Sequence, residues 1–366
     1  MFSAERLKFG ITTGASMIAS TPRPDRLEIL QAHFDGARKT GIRQLAGIGF
    51  CDGPWPKHPR VFEDGVFREK TLTPEQVVEN TERAVRELNG VHPRQFCIVA
   101  PRPEDTPEFA AWKNREMARI AREYDVALHT HARAGGIAFT YDTTPELFGP
   151  HTSLTHSTGL SQREIEIVAK TGATVFHGPT TRANINVRCP VYEILRAGGH
   201  VAIVTDGTAP DRSYDIWRDM KVFQVIHRIH EHDDRLAPPG LVLEMCTIRP
   251  ARALGIDHLT GSLEVGKRAD IILINTRQPH LAPFNILPEA RLVYHAQGQD
   301  VDTVIVDGQV VMEHRQMLCC DENRILDDAE TAQKALFDRL GPERMAKYTA
   351  YPGLYDLAAQ VVTDEN

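Results

Sequence analysis

Three histidines and one aspartate close short apolar segments of the chain. His131, His156 and His177 end VALHTH, TSLTH and ATVFH, and Asp206 ends VAIVTD. Imidazole nitrogens together with a carboxylate oxygen suit zinc and, less selectively, iron or manganese. A metal ion held by such groups lowers the pKa of its bound water to about 7, and a neighbouring carboxylate can take the proton. The residue types therefore predict metal-assisted hydrolysis, provided that the chain brings them together.

Each of these signals has a second reading when it is taken alone. His129 and His131 are two apart, so in a strand they face the same side and could bind one ion, or they could be structural. Asp206 could cap a turn before Gly207, although a charge at the end of a buried strand is costly without a partner. A second pair of histidines, His230 and His232, falls at the polar end of a helical pattern and is predicted to be solvated.

The elements that must position these residues alternate between strands and helices. Seven segments have strand character and nearly all precede a helical pattern, which predicts a parallel sheet. In a barrel, the carboxyl ends of such strands open on one face, and the polar residues would converge there. The predicted strands are 11–17, 44–50, 95–101, 126–131, 152–156, 173–177 and 201–206, and the predicted helices are 25–40, 73–89, 108–124, 161–170, 190–197, 215–230 and 329–340.

The length of the chain, 366 residues, fits one barrel of about 250 residues plus a small domain. The pattern changes after residue 255, where 261–274 and 301–312 read as short strands with turns. We therefore predict an α/β fold with a (β/α)8 TIM-type barrel over 1–255, a small β-sandwich portion over 256–320 and a C-terminal helical segment over 321–366. The loops 51–70 and 133–149 are predicted to shape the substrate pocket.

Composition narrows the class of partner. The net charge is −7, from 42 basic and 49 acidic residues, and no basic run indicates nucleic-acid binding. None of the six cysteines forms a CxxC pair, so reduced and mostly buried thiols are expected. The chain begins with no apolar signal segment and contains no apolar run of about 20 residues. A cytoplasmic protein without a membrane partner, acting on a small molecule, is the expectation.

Several longer segments resemble the amidohydrolase superfamily, in its branch of triazine chlorohydrolases and cytosine- or adenosine-type aminohydrolases. They are LHTHARAGG, LTHSTGLSQREIEIVAKTGATVFHGPTTRANI, PVYEILRAGGHVAIVTDG, GSLEVGKRADIILIN and VDTVIVDGQVV, and the resemblance covers almost the whole chain. It implies a barrel with a divalent metal ion, most often zinc, at the carboxyl ends of its strands, a small β-sandwich, and a homo-oligomeric assembly.

The resemblance also implies roles for individual residues. The ligand on strand five falls on His131, the ligand on strand six on His156, and the aspartate after strand eight on Asp206, as ligand and as proton acceptor for the attacking water. His177 and Asn184 fall in a segment near the substrate. On strand five, His129 is a neighbour on the substrate side, and Arg133 could pair with an anionic or carbonyl group of a substrate or form a structural ion pair.

Three positions depart from the pattern of the superfamily. Its HxH motif on strand one has no counterpart, because the chain starts at the helix before strand two; this suggests a missing first strand. A proton-shuttling Glu is replaced by Ala134, and a His by Gly159. The last two departures put a deaminase mechanism in doubt but leave hydrolysis through Asp206 intact.

The leading hypothesis is a metal-dependent hydrolase that acts on C–N bonds, other than peptide bonds, of a small cyclic amide, amidine or amine. One alternative is a catalytically impaired barrel that binds a small molecule or a partner. Another keeps the metal and hydrolyses a C–halogen bond, as a chlorohydrolase does. The exact substrate lies beyond what these motifs specify.

Overall fold

A computed structural model describes residues 1–17, 26–51, 53–64, 66–101, 107–207, 213–284 and 286–349. The chain divides into two compact units, one formed by Phe2–Cys320 and the other mainly by the residues from Asp321 onward. The candidate site belongs to the first unit. Asp25, where the first predicted helix was expected to begin, lies outside the described residues.

The central element of the first unit is a seven-stranded sheet in which every described pairing is parallel. All seven predicted strands are present, and the prediction of a parallel sheet is confirmed. In chain order the strands are β1 (Thr13–Met17), β2 (Arg43–Ile48), β5 (Gln95–Val99), β6 (Leu128–Arg133), β7 (Thr152–Thr158), β8 (Thr174–His177) and β9 (His200–Ile203). The strands have the same order in the sheet. Among the described residues, β1 and β9 are the two edge strands.

Helices follow most of these strands and cover the outer face of the sheet. Leu154, Val175 and Val201 point outward into one apolar cluster that also contains Ile165 and Ile194 of the covering helices. The helices of the first unit are α1 (Phe2–Lys8), α2 (Leu27–Thr40), α3 (Pro74–Leu88), α4 (Pro107–Glu123), α5 (Gly136–Thr143), α6 (Gln162–Thr171), α7 (Pro179–Asn184), α8 (Val191–Arg196), α9 (Ile216–Glu231), α10 (Pro239–Cys246), α11 (Ile248–Ala253) and α12 (Pro288–His295).

Local sequence determines where two of these helices begin. The Thr73 hydroxyl accepts a hydrogen bond from the backbone N–H of Gln76, whose side chain accepts one from the backbone N–H of Thr73. The two bonds form a capping box at the start of α3, and Ser161 with Glu164 forms another at the start of α6.

Both predicted pocket loops contain regular structure that the sequence reading missed. The first holds the antiparallel hairpin of β3 (Arg60–Glu63) and β4 (Val66–Glu69). The second holds α5, which begins after Gly135 in the left-handed conformation, at φ 82°. Short elements of this kind lack the length over which hydrophobic periodicity can be recognised.

The predicted β-rich portion forms one antiparallel sheet in the described residues. Its strands, in spatial order, are β10 (Ile271–Ile274), β11 (Val301–Val306), β12 (Gln309–Glu313) and β13 (Gln316–Met317). Only the last four residues of the predicted segment 261–274 are a strand, since turns precede them. A second layer, which would make a sandwich, remains a prediction.

A buried ion pair joins the two sheets. The Arg43 guanidinium on β2 donates to both carboxylate oxygens of Asp270, at 2.8 and 3.2 Å, and both side chains are almost completely buried. Asp270 immediately precedes β10, and it also accepts from the backbone N–H of Asp307, in the turn after β11, at 2.8 Å. The conspicuous segment GKRADIILI therefore contributes a carboxylate that anchors the small sheet to the parallel one.

The second unit contains α13 (Glu322–Thr349), which is broken at Gly341, where φ is 73°, before Pro342. None of the helices in the described part of the chain is long and apolar enough to cross a membrane. All six cysteines are free thiols; Cys51, Cys97 and Cys189 are buried, whereas the other three are partly exposed.

Candidate metal and substrate site

Neighbouring strands β6 and β7 hold His129 in the wall of the site. Its Nδ1 lies 2.6 Å from the Ser153 hydroxyl and its Nε2 lies 3.2 Å from the Thr155 hydroxyl. Because Ser153 donates to the Leu128 carbonyl, its oxygen accepts from Nδ1–H of His129, which leaves Nε2 to accept from Thr155. Burial lowers the pKa of His129 to about 3, so the ring is neutral. A substrate contact of His129 stays a prediction, since protein hydroxyls already engage both nitrogens.

A bulge at the end of β7 directs His156 into the site. The registers Ala132↔His156 and Arg133↔Thr158 skip Ser157, and φ is +76° at His156 and +46° at Ser157. Regular alternation would send His156 outward with Leu154, opposite to Thr155. A bulge can re-aim a side chain, and here the His156 ring stands 4.8 Å from that of His131, centroid to centroid and nearly perpendicular.

Asp206 reaches the same place from the loop after β9. The strand ends at Ile203, three residues earlier than predicted, and Asp206 has a left-handed φ of +60°. Its Oδ1 accepts a 2.6 Å hydrogen bond from the backbone N–H of Gly207. Its Oδ2 lies 4.0 Å from Nδ1 of His156 and 3.8 Å from Nη2 of Arg182. His131, His156 and Asp206 are thus neighbours at the carboxyl ends of the strands.

His177 ends β8 and is completely buried against α9. Its Nε2 lies 3.1 Å from Nε2 of His227, which is itself 1% exposed. Burial lowers the pKa of both rings, to about 3 in His227, so both are neutral and one must donate to the other. The predicted substrate residue His177 is therefore held by a partner that the sequence reading did not identify.

Two further residues of the site region escaped the sequence reading. Arg182 lies on α7, five residues after His177. Asp219 lies buried on α9, where its Oδ1 accepts a hydrogen bond from the backbone N–H of Thr180 at 3.0 Å. Neither ends a strand, so the pattern that revealed the histidines could not find them. A charged residue in the buried stripe of α9 is the one signal that could have indicated Asp219.

The sequence matches the model of the amidohydrolase family over residues 2–311. The chain belongs to the amidohydrolase family. Among curated relatives, it is similar to a 5-methylthioadenosine/S-adenosylhomocysteine deaminase of Desulforudis audaxviator, with 36% identity over 61% of this chain and 55% of the relative. The chain spans about half the length of the curated relatives it matches, with 55%, 44% and 44% covered in three of them.

Solved structures show the same amidohydrolase fold. An adenosine deaminase from Xanthomonas campestris with bound zinc aligns at a TM-score of 0.74 and 20% identity, over 91% of this chain and 73% of that one. Atrazine chlorohydrolase TrzN from Arthrobacter aurescens TC1, complexed with zinc, aligns at 0.73 and 23% identity, over 90% and 76%. The fold is a curled parallel sheet of seven strands, consistent with a TIM-type barrel.

The side chains of His131, His156 and Asp206 meet some of the requirements for binding a divalent ion. Two imidazoles that share a zinc ion at Zn–N distances of about 2.0–2.1 Å have ring centroids roughly 5 Å apart, and His131 and His156 meet that spacing. The nearby Asp206 carboxylate supplies the oxygen donor that zinc accepts. Within the described part of the chain, however, no group of three or more His, Cys, Asp or Glu residues is arranged to hold an ion.

The two positions where this amidohydrolase departs from the superfamily pattern on strands five and six are neighbours in space. A Cβ built on Gly159 would lie 3.5 Å from the Cβ of Ala134, and the backbone N–H of Ala134 donates to the Thr158 carbonyl at 3.0 Å. The two positions at which the resemblance predicts polar side chains are thus adjacent small residues. Arg133, at the end of β6, and Asn184, at the end of α7, are exposed, and their substrate contacts stay predictions.

Proposed function

We propose that this chain is a metal-dependent hydrolase of C–N bonds, other than peptide bonds, in a small cyclic amide, amidine or amine. The observation that carries the proposal is the meeting of His131, His156 and Asp206 at one end of the parallel sheet. Membership of the amidohydrolase family supports it. In this proposal His131, His156 and Asp206 hold a divalent ion, and two similar structures contain zinc. When bound, the ion lowers the pKa of water and polarises the carbon under attack.

The protein's own groups then handle the proton. Asp206 accepts it from the attacking water and passes it to the leaving nitrogen, because its carboxylate lies beside His156 in the site. The hydrogen bond from the Gly207 N–H to Oδ1 fixes the orientation of the carboxylate. The exposed Arg133 and Asn184 are proposed to orient the substrate, whereas His177, completely buried and bonded to His227, is proposed to support the wall of the site near the substrate.

The names of curated relatives suggest which compounds to assay first. One is named as a deaminase of 5-methylthioadenosine and S-adenosylhomocysteine, so these two compounds head a panel that continues with cyclic amides and amidines. The small residues Ala134 and Gly159 favour a hydrolysis in which Asp206 alone moves the proton. Release of ammonia, of a ring-opened product or of chloride separates deamination, amide hydrolysis and C–halogen hydrolysis.

The substitution Asp206→Asn tests the proposed base. It keeps the size of the side chain and removes the proton acceptor, so turnover is expected to fall by about 10²–10⁴-fold with little change in stability. Asp233→Asn is the matched control, because Asp233 pairs with the neighbouring Arg235 after α9 and should leave turnover unchanged. Turnover retained in Asp206→Asn, measured as product release at saturating substrate, contradicts the assignment of the base.

A catalytically impaired binding protein is the second candidate. It is favoured because the described residues contain no group of three His, Cys, Asp or Glu side chains placed so that they could hold a metal ion. Metal analysis of the purified chain together with the product panel decides between the two. One equivalent of bound metal with measurable hydrolysis supports the enzyme, whereas ligand binding without turnover supports the binding protein. The homo-oligomer stays a prediction that sedimentation can test.

A further inference from the structure

The positively charged side chain of Arg182 lies beside Asp206, the proposed metal ligand. It lies on α7, and its side chain is only 12% exposed. Its Nη2 is 3.8 Å from Oδ2 of Asp206, and Nδ1 of His156 is 4.0 Å from the same oxygen. The guanidinium and the imidazole therefore approach one carboxylate oxygen together.

The charges in this arrangement oppose a second cation. A divalent ion on Asp206 would sit about 2 Å from its carboxylate oxygen, and hence within roughly 6 Å of the guanidinium. Arginine stays protonated at every working pH, so its charge cannot be removed by titration. Two cations this close repel each other strongly in a partly buried site, where screening by water is weak.

We propose that Arg182 competes with the metal ion for Asp206 and so sets the affinity of the site for divalent cations. The guanidinium neutralises the carboxylate while no ion is bound, and it must move away from Oδ2 when an ion binds. This inference rests on the metal site of the proposed function but not on its substrate or its chemistry. It also accounts for the structure described, in which Asp206 pairs with Arg182 and is not part of a group of three metal-binding side chains among the described residues.

Zinc affinity, measured by competition with a chromophoric chelator, tests this role without any assay of turnover. Arg182→Gln and Arg182→Met remove the charge, and each is expected to bind zinc about tenfold more tightly or better, because one strong repulsion is lost. Arg182→Lys keeps the charge and should stay near the wild-type affinity. Arg188→Gln is the matched control, because Arg188 pairs with Glu193 and Glu231 and not with Asp206.

The double variant Arg182→Gln/Asp206→Asn should lose the gain, which ties the effect to this carboxylate. Unchanged zinc affinity in both Arg182→Gln and Arg182→Met overturns the proposal. A purely structural ion pair would instead lower the unfolding temperature of these variants and leave zinc affinity where it was. Tighter zinc binding without turnover of any substrate would uphold this inference while the proposed function fails.

A crystal structure of the wild-type chain with zinc gives a readout that needs no substitution. The guanidinium of Arg182 is expected to have turned away from Asp206, with the ion on Oδ2. An ion on Asp206 with Arg182 still beside Oδ2 overturns the proposal, even if the variants fail to fold.

Discussion

Three residues of the candidate site have a backbone conformation that side chains disfavour. His156, Ser157 and Asp206 have φ values of +76°, +46° and +60°. Left-handed conformations in residues other than glycine cost of order 1–3 kcal/mol each and tend to persist at functional sites, where surrounding structure holds them. At the end of β7 this conformation falls on two consecutive residues, His156 and Ser157, where the strand bulges and the His156 side chain is redirected.

Buried neutral histidines supply hydrogen bonds, not charge, around this region. Burial lowers the pKa of His129 and of His227 to about 3 and holds that of His177 well below its usual range. Each ring therefore acts as one donor and one acceptor at neutral pH. Their contacts fix β6 to β7 and β8 to α9, so the walls of the site are set by uncharged groups.

Asp219 is expected to make stability depend on pH. Burial raises its pKa to about 6 from 3.8, against a hydrogen bond from Thr180 and the nearby charge of Arg218, while the charge of Asp215 adds to the rise. The folded state holds this proton more tightly than the unfolded chain does. The resulting stabilisation is complete below about pH 3.8 and is lost as the pH rises through about 6.

Asp219→Asn removes this titration while keeping an oxygen for the Thr180 N–H. Relative to the variant, the wild type should lose roughly 1–3 kcal/mol of unfolding free energy between pH 4 and pH 7.5. Urea unfolding of both proteins across this range measures the difference. Parallel pH profiles would show that the Asp219 carboxyl does not titrate in this range.

At the scale of elements, the bulge at His156 and Ser157 determines which side chains of β7 face the site. Strand alternation places Ser153 and Thr155 on the face of His129, and sends Leu154 into the core cluster. By the same alternation His156 belongs with Leu154. The bulge at Ser157 reverses this, and a period-two pattern in the sequence carries no sign of the bulge.

The buried pair of Arg43 and Asp270 is expected to contribute strongly to stability. Removal of one partner leaves an uncompensated buried charge, which typically costs about 3–5 kcal/mol. Arg43→Met should therefore lower the free energy of unfolding by an amount of that order, as measured by urea denaturation. Asp270 would keep its bonds from Thr260 and the Asp307 N–H but lose its counter-charge.

An exposed ion pair supplies the control for this substitution. Arg163 bonds to Asp142 at 2.6 Å, with both side chains more than half exposed. Arg163→Met is expected to cost less than about 1 kcal/mol, since water screens such pairs. Equal losses in the two variants would mean that Arg43 does not anchor the small sheet.

At the scale of the whole molecule, the residues from Phe2 to Cys320 form a compact unit. A chain that ends at Cys320 is therefore expected to unfold cooperatively at nearly the urea midpoint of the full chain. A chain that ends at Ala296 loses β11 and β12, with the buried Val301, Val304 and Val306, and should be strongly destabilised. A broad, early transition in the first truncated chain would show that the second unit is needed for folding of the first.

Sequence pattern by itself determined most of the first unit. The seven strands follow from short apolar segments, and α3 and α6 begin at capping residues, because both kinds of signal are local in the sequence. Membership of the amidohydrolase family, confirmed by the match over residues 2–311, came from the same segments. The solvated pair His230 and His232 is exposed, as its polar surroundings predicted.

Tertiary structure alone decided how the candidate site is assembled. The inward direction of the His156 side chain depends on one backbone irregularity. The other features are contacts between residues that are distant along the chain: His177 with His227, Asp206 with Arg182, and Ala134 with Gly159. Such contacts depend on the register and packing of several elements at once. Residue types could therefore indicate zinc-type donors at strand ends, but only the packed sheet shows that an arginine shares their carboxylate.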